Sequence, residues 1–188
     1  MIIGLTGKNG AGKGEAASFL QSVGFQYYSL SDVVREEVAA RHLPVTRDNL
    51  VVVANELRSN FGAKILAERI LQKLHPEKNY VIDSIRNPAE IEVLRGSENF
   101  TLIAITADAK VRFERMKQRA RENDPTTYEG FLTAEAREAE SADPNRQQLN
   151  KSEAMADTQV ANDGLLAEMH FGLRRVLAEL GFTTPEEE

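Results

Sequence analysis

The densest chemistry in this chain lies in one stretch, Gly7-Lys8-Asn9-Gly10-Ala11-Gly12-Lys13. Its spacing is GxxxxGK, set behind the apolar run Ile2 to Thr6 and ahead of a segment with helical periodicity. Gly7, Gly10 and Gly12 let the backbone turn so tightly that successive N–H groups point inward, and a helix starting behind them adds the positive end of its dipole. A polyphosphate is the natural guest of such a cradle. Lys13 would reach the β and γ phosphates and follow the transferred group through a transition state whose catalysis is mainly electrostatic. Lys8, Asn9 and Ala11, with Gly14 and Glu15 at the start of the helix, complete the expected nucleotide-binding set, with ATP as the ligand. A glycine-rich turn with a solvated lysine is the bland alternative, and the strand-loop-helix order speaks against it. Gly14 stands where a magnesium-ligating Ser or Thr often follows the lysine, so Mg2+ must lean on phosphates, water and other carboxylates.

Three further groups could serve phosphate chemistry. Ser31 or Asp32 can cap a helix on which Arg35 presents a planar fork suited to phosphate; an ordinary exposed helix arginine is the alternative. Asp83 follows the apolar run Tyr80 to Ile82, at the strand end where open α/β sheets put ligands, and Arg86 comes three residues later. Asp83 would hold Mg2+ directly or through water; alternatively it caps the next element while Arg86 pairs with a surface acid. Arg112, Arg115 and Arg119 share one face at helical spacing. Positioned arginines stabilise a phosphoryl group in flight when a flap closes over it, whereas a solvated helix would pair them with Glu114 and Glu122.

The sequence GAGKG resembles the loop of adenylate kinases and related nucleoside monophosphate kinases, in which glycine follows the lysine. Ser29-Leu30-Ser31-Asp32-Val33-Val34-Arg35-Glu36-Glu37 is similar to the acceptor-side motif of that family, where an aspartate starts a helix and an arginine one turn later binds the acceptor phosphate. The resemblance implies substrate-binding roles for Asp32 and Arg35. Asp83-Ser84-Ile85-Arg86 resembles the DGxPR segment of the same kinases, which implies that Arg86 grips the acceptor phosphate and takes part in catalysis. Here Ser84 and Ile85 replace the glycine and the aromatic residue, and Pro88 follows the arginine. The basic helix looks like the entry to a monophosphate-kinase lid, which implies that Arg115 and Arg119 approach the phosphates catalytically and that Arg137 reaches the substrate from the far side. Ala156 to Gly164 resembles the ADxxIxNxG segment of dephospho-coenzyme A kinases and of kinase domains associated with deoxycytidylate deaminases. That likeness would put Asn162 beside the donor adenine, with a simple turn and cap as the alternative. Arg58 falls on helices between Arg47 and Leu74, where monophosphate kinases close over the acceptor, and is expected to touch its phosphate or base.

These residues need a frame, and the apolar pattern supplies one. Short runs at Ile2 to Thr6, Tyr27 to Leu30, Tyr80 to Ile82, Phe100 to Ile105 and Thr158 to Val160 alternate with helical segments. The helices are expected at Gly12 to Val23, Ser31 to Arg41, Arg47 to Asn60, Ala63 to Leu74, Ala89 to Arg95, Ala109 to Arg121 and Leu165 to Leu180. The pattern predicts an α/β fold of P-loop NTPase type: a three-layer α/β/α sandwich with a five-stranded parallel sheet and a helical lid insertion, in one domain over residues 1–188. Acceptor-side helices would occupy about 31–74 and the lid about 115–146. Arg121 to Arg146, charged and poor in large aliphatics, reads as a mobile cover, and Pro185 to Glu188 as a disordered end.

Composition narrows the partners. Twenty-nine acids against 23 bases give a formal charge of −6, which argues against broad binding to duplex nucleic acid or an anionic membrane. Cysteine is absent and the 3 histidines show no metal-ligand spacing. With no signal-peptide pattern after Met1 and no apolar run able to span a bilayer, a cytoplasmic location is expected. The expected activity is transfer of the γ-phosphoryl group from ATP, with Mg2+, to a ribo- or deoxynucleoside monophosphate. A dephospho-coenzyme A kinase or other hydroxyl kinase is the runner-up and would need Asp32 as a base. A nucleotide-hydrolysing switch or assembly factor is the third reading. The acceptor base, the sugar and the oligomeric state leave no mark in the sequence.

Overall fold

Successive residues of a strand face opposite ways, and both faces of the first strand are buried: Ile3 and Leu5 pack into one apolar cluster and Ile2 into another. Such two-sided burial belongs to a parallel sheet covered by helices. The computed structural model describes residues 1–119, 125–139 and 147–184, with the side chains of residues 47 and 137–139 outside that set. Its strands are β1 (Ile2–Thr6), β2 (Gln26–Ser29), β3 (Tyr80–Asp83), β4 (Phe100–Thr106) and β5 (Thr158–Ala161). They form a five-stranded sheet in the order β2-β3-β1-β4-β5, with every neighbouring pair parallel. The central strand pairs Ile2 with Tyr80 on one side and with Phe100 on the other, which brings the ends of β1, β3 and β4 to one carboxyl edge.

On one face α1 (Lys13–Ser22) and α9 (Leu166–Glu179) bury Phe19, Leu20, Met169 and Leu173 against Ile3, Leu5, Ile103 and Val160. The other face is covered by α2 (Leu30–Ala40), α3 (Arg47–Phe61), α4 (Ile65–Leu71) and α5 (Pro88–Arg95). These helices start where side chains can meet their free N–H groups. Ser29 and Thr46 cap α2 and α3, while Asn87 and Glu90 form a capping box on α5 with Pro88 in its first turn. Ion pairs tie three of them together, Glu37 with Arg41 and Arg69, and Arg41 with Glu56.

The sequence expectation of a three-layer α/β/α sandwich with five parallel strands therefore holds. Helix α4 is shorter than the periodicity implies, because the chain turns at Gln72 and Lys73, where the Lys73 N–H donates to the Ile70 carbonyl at 2.8 Å. The expected cover needs a larger correction. After α6 (Ala109–Arg119) it contains α7 (Tyr128–Ala139), and α8 (Leu149–Ala154) follows. Few aliphatics are needed there because aromatics do the packing. Phe131, 2% exposed, meets Phe113 and Tyr128 in a small separate cluster. The expected lid positions 120–124 and 140–146, Arg121 and Arg146 among them, and the tail 185–188 lie outside the described residues.

Candidate active site

The loop between β1 and α1 brings residues 7–15 together as the spacing predicts. Two of its glycines are required by close approach. A Cβ on Gly7, at φ 136°, would collide with the Ile105 carbonyl, and one on Gly12, at φ 103°, with the Asn162 amide. Helix α1 begins at Gly12 with no side-chain cap, so the N–H groups of its first turn stay available to an anion. Lys13 folds back across the loop, and its Nζ donates to the carbonyls of Gly7 at 2.7 Å and Lys8 at 3.2 Å. Burial lowers its pKa from 10.5 to about 8, helped by the positive charge of Arg86 and opposed by Asp83 and Glu153. A lysine whose desolvation is offset only in part gains most when phosphate arrives.

Above the loop stand Arg115 and Asn162. Asn162 is 4% exposed; its Nδ2 donates to the Ala11 carbonyl at 2.8 Å and its Oδ1 accepts from Arg115 at 3.4 Å. That placement corrects the adenine-contact reading: the amide is spent holding the loop, buried against the face of Gly12. The other terminal nitrogen of Arg115, Nη1, is buried with no hydrogen-bond partner among the described residues. A buried unpaired guanidinium nitrogen is costly, and a phosphate oxygen is the acceptor that would satisfy it. Arg112 departs from the shared face expected of it. It is 4% exposed, forks onto Glu135 at 2.7 and 3.0 Å, and lies over the Phe131 ring at 5.3 Å. Glu135 also pairs with Lys8 at 3.5 Å, which latches α7 to the loop. Arg119 is exposed and close enough for its charge to act on Lys13. The side chain of Arg137, on α7, lies outside the described residues.

The acceptor-side candidates gather at the ends of β2 and β3. The Asp83 carboxylate accepts from the N–H of Ser84 at 2.6 Å, with Ser84 in the left-handed region at φ 66°, and its charge reaches Lys13. The Arg86 side chain donates to Gln147 at 3.1 Å, and its charge also acts on Lys13. Asp32 and Arg35 pair one turn apart at 2.5 Å, with side chains 44% and 51% exposed. Arg58 is corrected: it is 7% exposed and committed to the buried Glu90 at 3.2 Å, because a charge inside the packing of α3 and α5 must find a partner. Among the described residues no group of three or more His, Cys, Asp and Glu is arranged to hold a metal. Asp83, at the carboxyl end of β3, is the carboxylate there that could meet a cation alongside phosphates.

Two groups escaped the sequence reading. Glu153, on α8, faces the backbone N–H of Lys8 and feels the charges of Lys8, Arg112 and Lys13, while burial raises its pKa. Nothing in Lys151-Ser152-Glu153 signals this, since only the path of the chain after α7 brings it to the loop. Tyr27 stands beside Asp83, Asp32 and Arg35; burial and the Asp83 charge raise its phenol pKa. Its strand was read for the core alone, although an edge strand that ends at the ligand side was the available signal.

A glycine loop at the carboxyl edge of a 2-3-1-4-5 parallel sheet, with a lysine opening the next helix, defines a P-loop protein. Comparison with solved structures agrees. Shikimate kinase from Bacteroides thetaiotaomicron superposes with a TM-score of 0.58 at 15% identity, covering 97% of this chain and 99% of that one. A gluconokinase from Sinorhizobium meliloti gives 0.55 at 15% identity over 95% and 94%. TT1252 from Thermus thermophilus gives 0.58 at 22% identity over 96% and 97%. The chain belongs to the UPF0200 family, and its residues 3–143 match the model of an AAA domain. The UPF0200 protein of Thermococcus kodakarensis is 32% identical over 96% of this chain and 98% of its own length. That of Pyrococcus abyssi is 33% identical over 87% and 88%. The likeness is thus to P-loop kinase-like proteins broadly, and it does not single out the adenylate kinases. Among the described residues no helix is long and apolar enough to cross a membrane.

Proposed function

We propose that this protein transfers the γ-phosphoryl group of ATP, with Mg2+, to the phosphate of a ribo- or deoxynucleoside monophosphate. The observation that carries this reading is the meeting of two cationic sites at Lys13: the loop with Arg115 on one side, and Arg86, near enough to perturb Lys13, on the other. An enzyme that joins two phosphates needs such a pair. Lys13, the loop amides and Arg115 hold the donor phosphates; Arg86 and Arg35 hold the acceptor, with Arg35 exchanging Asp32 for a phosphate oxygen. Arg119 and Arg137 would approach from the cover. An acceptor oxygen bonds to the γ phosphorus as the bond to the bridging oxygen breaks, and ADP leaves. The acceptor oxygen is already anionic, so positioning and charge neutralisation suffice and no general base is required. Mg2+ would supply charge neutralisation when bound, and Asp83 would hold it or its water. The reading carries with it a cytoplasmic location and neither duplex nucleic acid nor membrane as partner.

A second reading, a kinase acting on a hydroxyl such as that of dephospho-coenzyme A, draws on one feature. Asp32 stands exposed at the mouth near Tyr27, where a base would stand. ADP formation across a panel of nucleoside monophosphates, dephospho-coenzyme A and a control without acceptor separates the cases. Strong stimulation by a monophosphate supports the proposal. Stimulation by dephospho-coenzyme A alone favours the second reading, and hydrolysis indifferent to acceptor would refute both in favour of a switch.

A further inference from the structure

Among the described residues Glu90 is the one carboxylate in the fully buried set, at 0% exposure. Burying a carboxylate is unfavourable unless its oxygens are met. Its Oε2 accepts from the backbone N–H groups of Asn87 at 3.1 Å and Arg86 at 3.0 Å. Its Oε1 accepts from Arg58 on α3 at 3.2 Å. A capping box accounts for the Asn87 bond, and a neutral glutamine would serve that purpose as well. It accounts for neither the bond to Arg86, one residue before the cap, nor the bond to Arg58 on another helix. The backbone around Arg86 is fixed from two more directions. Thr6 donates to the Ile85 carbonyl at 3.1 Å, and the Gln148 N–H donates to the Arg86 carbonyl at 2.9 Å. The main chain is therefore held on every side while the Arg86 guanidinium extends to Gln147.

We propose that Glu90 is a positioning residue for an anionic acceptor: it sets the backbone of Arg86 and, through Arg58, ties the seating of α3 to the aim of that guanidinium. The inference rests on the acceptor role proposed for Arg86. Glu90 touches no substrate. Its carboxylate joins α3, α5 and the end of β3, so a displacement of α3 is felt at Arg86 through two hydrogen bonds.

The test is a double-mutant cycle between Glu90→Gln and Arg86→Ala, read as acceptor KM, kcat and affinity for a fluorescent ADP analogue. Glu90→Gln should raise the acceptor KM by about tenfold, with ADP affinity within about twofold of the parent. In the Arg86→Ala background the same substitution should leave the acceptor KM where Arg86→Ala alone puts it, since the group it aims is gone. Equal effects in both backgrounds, or a matching loss of ADP affinity, would mean a merely structural role and overturn the proposal. An acceptor KM unmoved by Arg86→Ala would instead overturn the acceptor role of Arg86. Should Glu90→Gln fail to fold, Arg58→Lys leaves the α5 cap intact and removes only the single guanidinium hydrogen bond to Glu90. It should shift acceptor KM in the same direction without shifting ADP affinity, and an unchanged acceptor KM there contradicts the coupling through Arg58.

Discussion

The glycine loop and the mouth proposed for the acceptor meet at Lys13 but are built from different materials. In the cradle the contacts close on the main chain of the loop: Gly7 lies against the Ile105 carbonyl, Gly12 against the Asn162 side chain, and the Asn162 amide on the Ala11 carbonyl. At the mouth the charges stand on side chains in solvent, with Arg35 and Asp32 half exposed and paired with each other. Under the proposed function, the contrast follows from what each would bind. A polyphosphate presents the same oxygens in every nucleotide, so a rigid set of amides fits it without adjustment. An acceptor is recognised by groups that must change partners when it arrives, and these cannot be locked in advance.

The largest effect should come where both regions meet. Lys13→Ala is expected to lower turnover by roughly 10²–10³-fold, the scale of losing one transition-state donor, with little change in melting temperature. Turnover near the parent value would remove the loop from the chemistry. Asn162→Ala addresses the cradle alone. It strips a buried partner from the Ala11 carbonyl and from Arg115, so stability should fall by about 1–3 kcal/mol in denaturant titration. ATP affinity should weaken with it while acceptor KM stays constant. A change in acceptor KM alone would show that the two regions are not separately built.

How far these regions could be read from the sequence differs in the same way. The cradle is contiguous, so Gly7 to Glu15 announced both a conformation and a ligand, and the alternation of Ile2, Ile3 and Leu5 placed it at a strand end. The mouth is assembled from β2, β3, α2 and α5, and its residues could be named only by motif. Motif named Arg35, Asp83 and Arg86 but could not show that Arg58 turns inward, because a partner 32 residues away, Glu90, decides where that guanidinium goes. Asn162 was misread for the same reason, its partner Ala11 lying 151 residues back. Glu153 gave no local sign at all. Helix α7 falls within the expected helical lid, but its bounds were not legible because it packs through Tyr128 and Phe131, outside any aliphatic period.

A smaller effect is set by pH. Burial brings the pKa of Lys13 to about 8, below its ordinary 10.5, so the free protein loses this proton as pH rises past that value. Bound phosphate favours the charged form, and binding above that pH should therefore take up a proton. ATP affinity should fall by up to about tenfold per pH unit there, and calorimetry in buffers of different ionisation enthalpy should register the uptake. A flat profile would mean that Lys13 stays charged without ligand. The smallest effect belongs to the mouth. Asp32→Asn should change turnover by no more than about threefold on a phosphate acceptor, whereas a general base would cost roughly a hundredfold.

The central claim, that phosphate is transferred to phosphate, is tested most directly by 31P NMR of the product formed with the acceptor that best stimulates ADP formation. A new pair of mutually coupled phosphorus resonances on the acceptor, the mark of a diphosphate, is the result predicted. An uncoupled phosphomonoester on the acceptor, or inorganic phosphate alone, would contradict it.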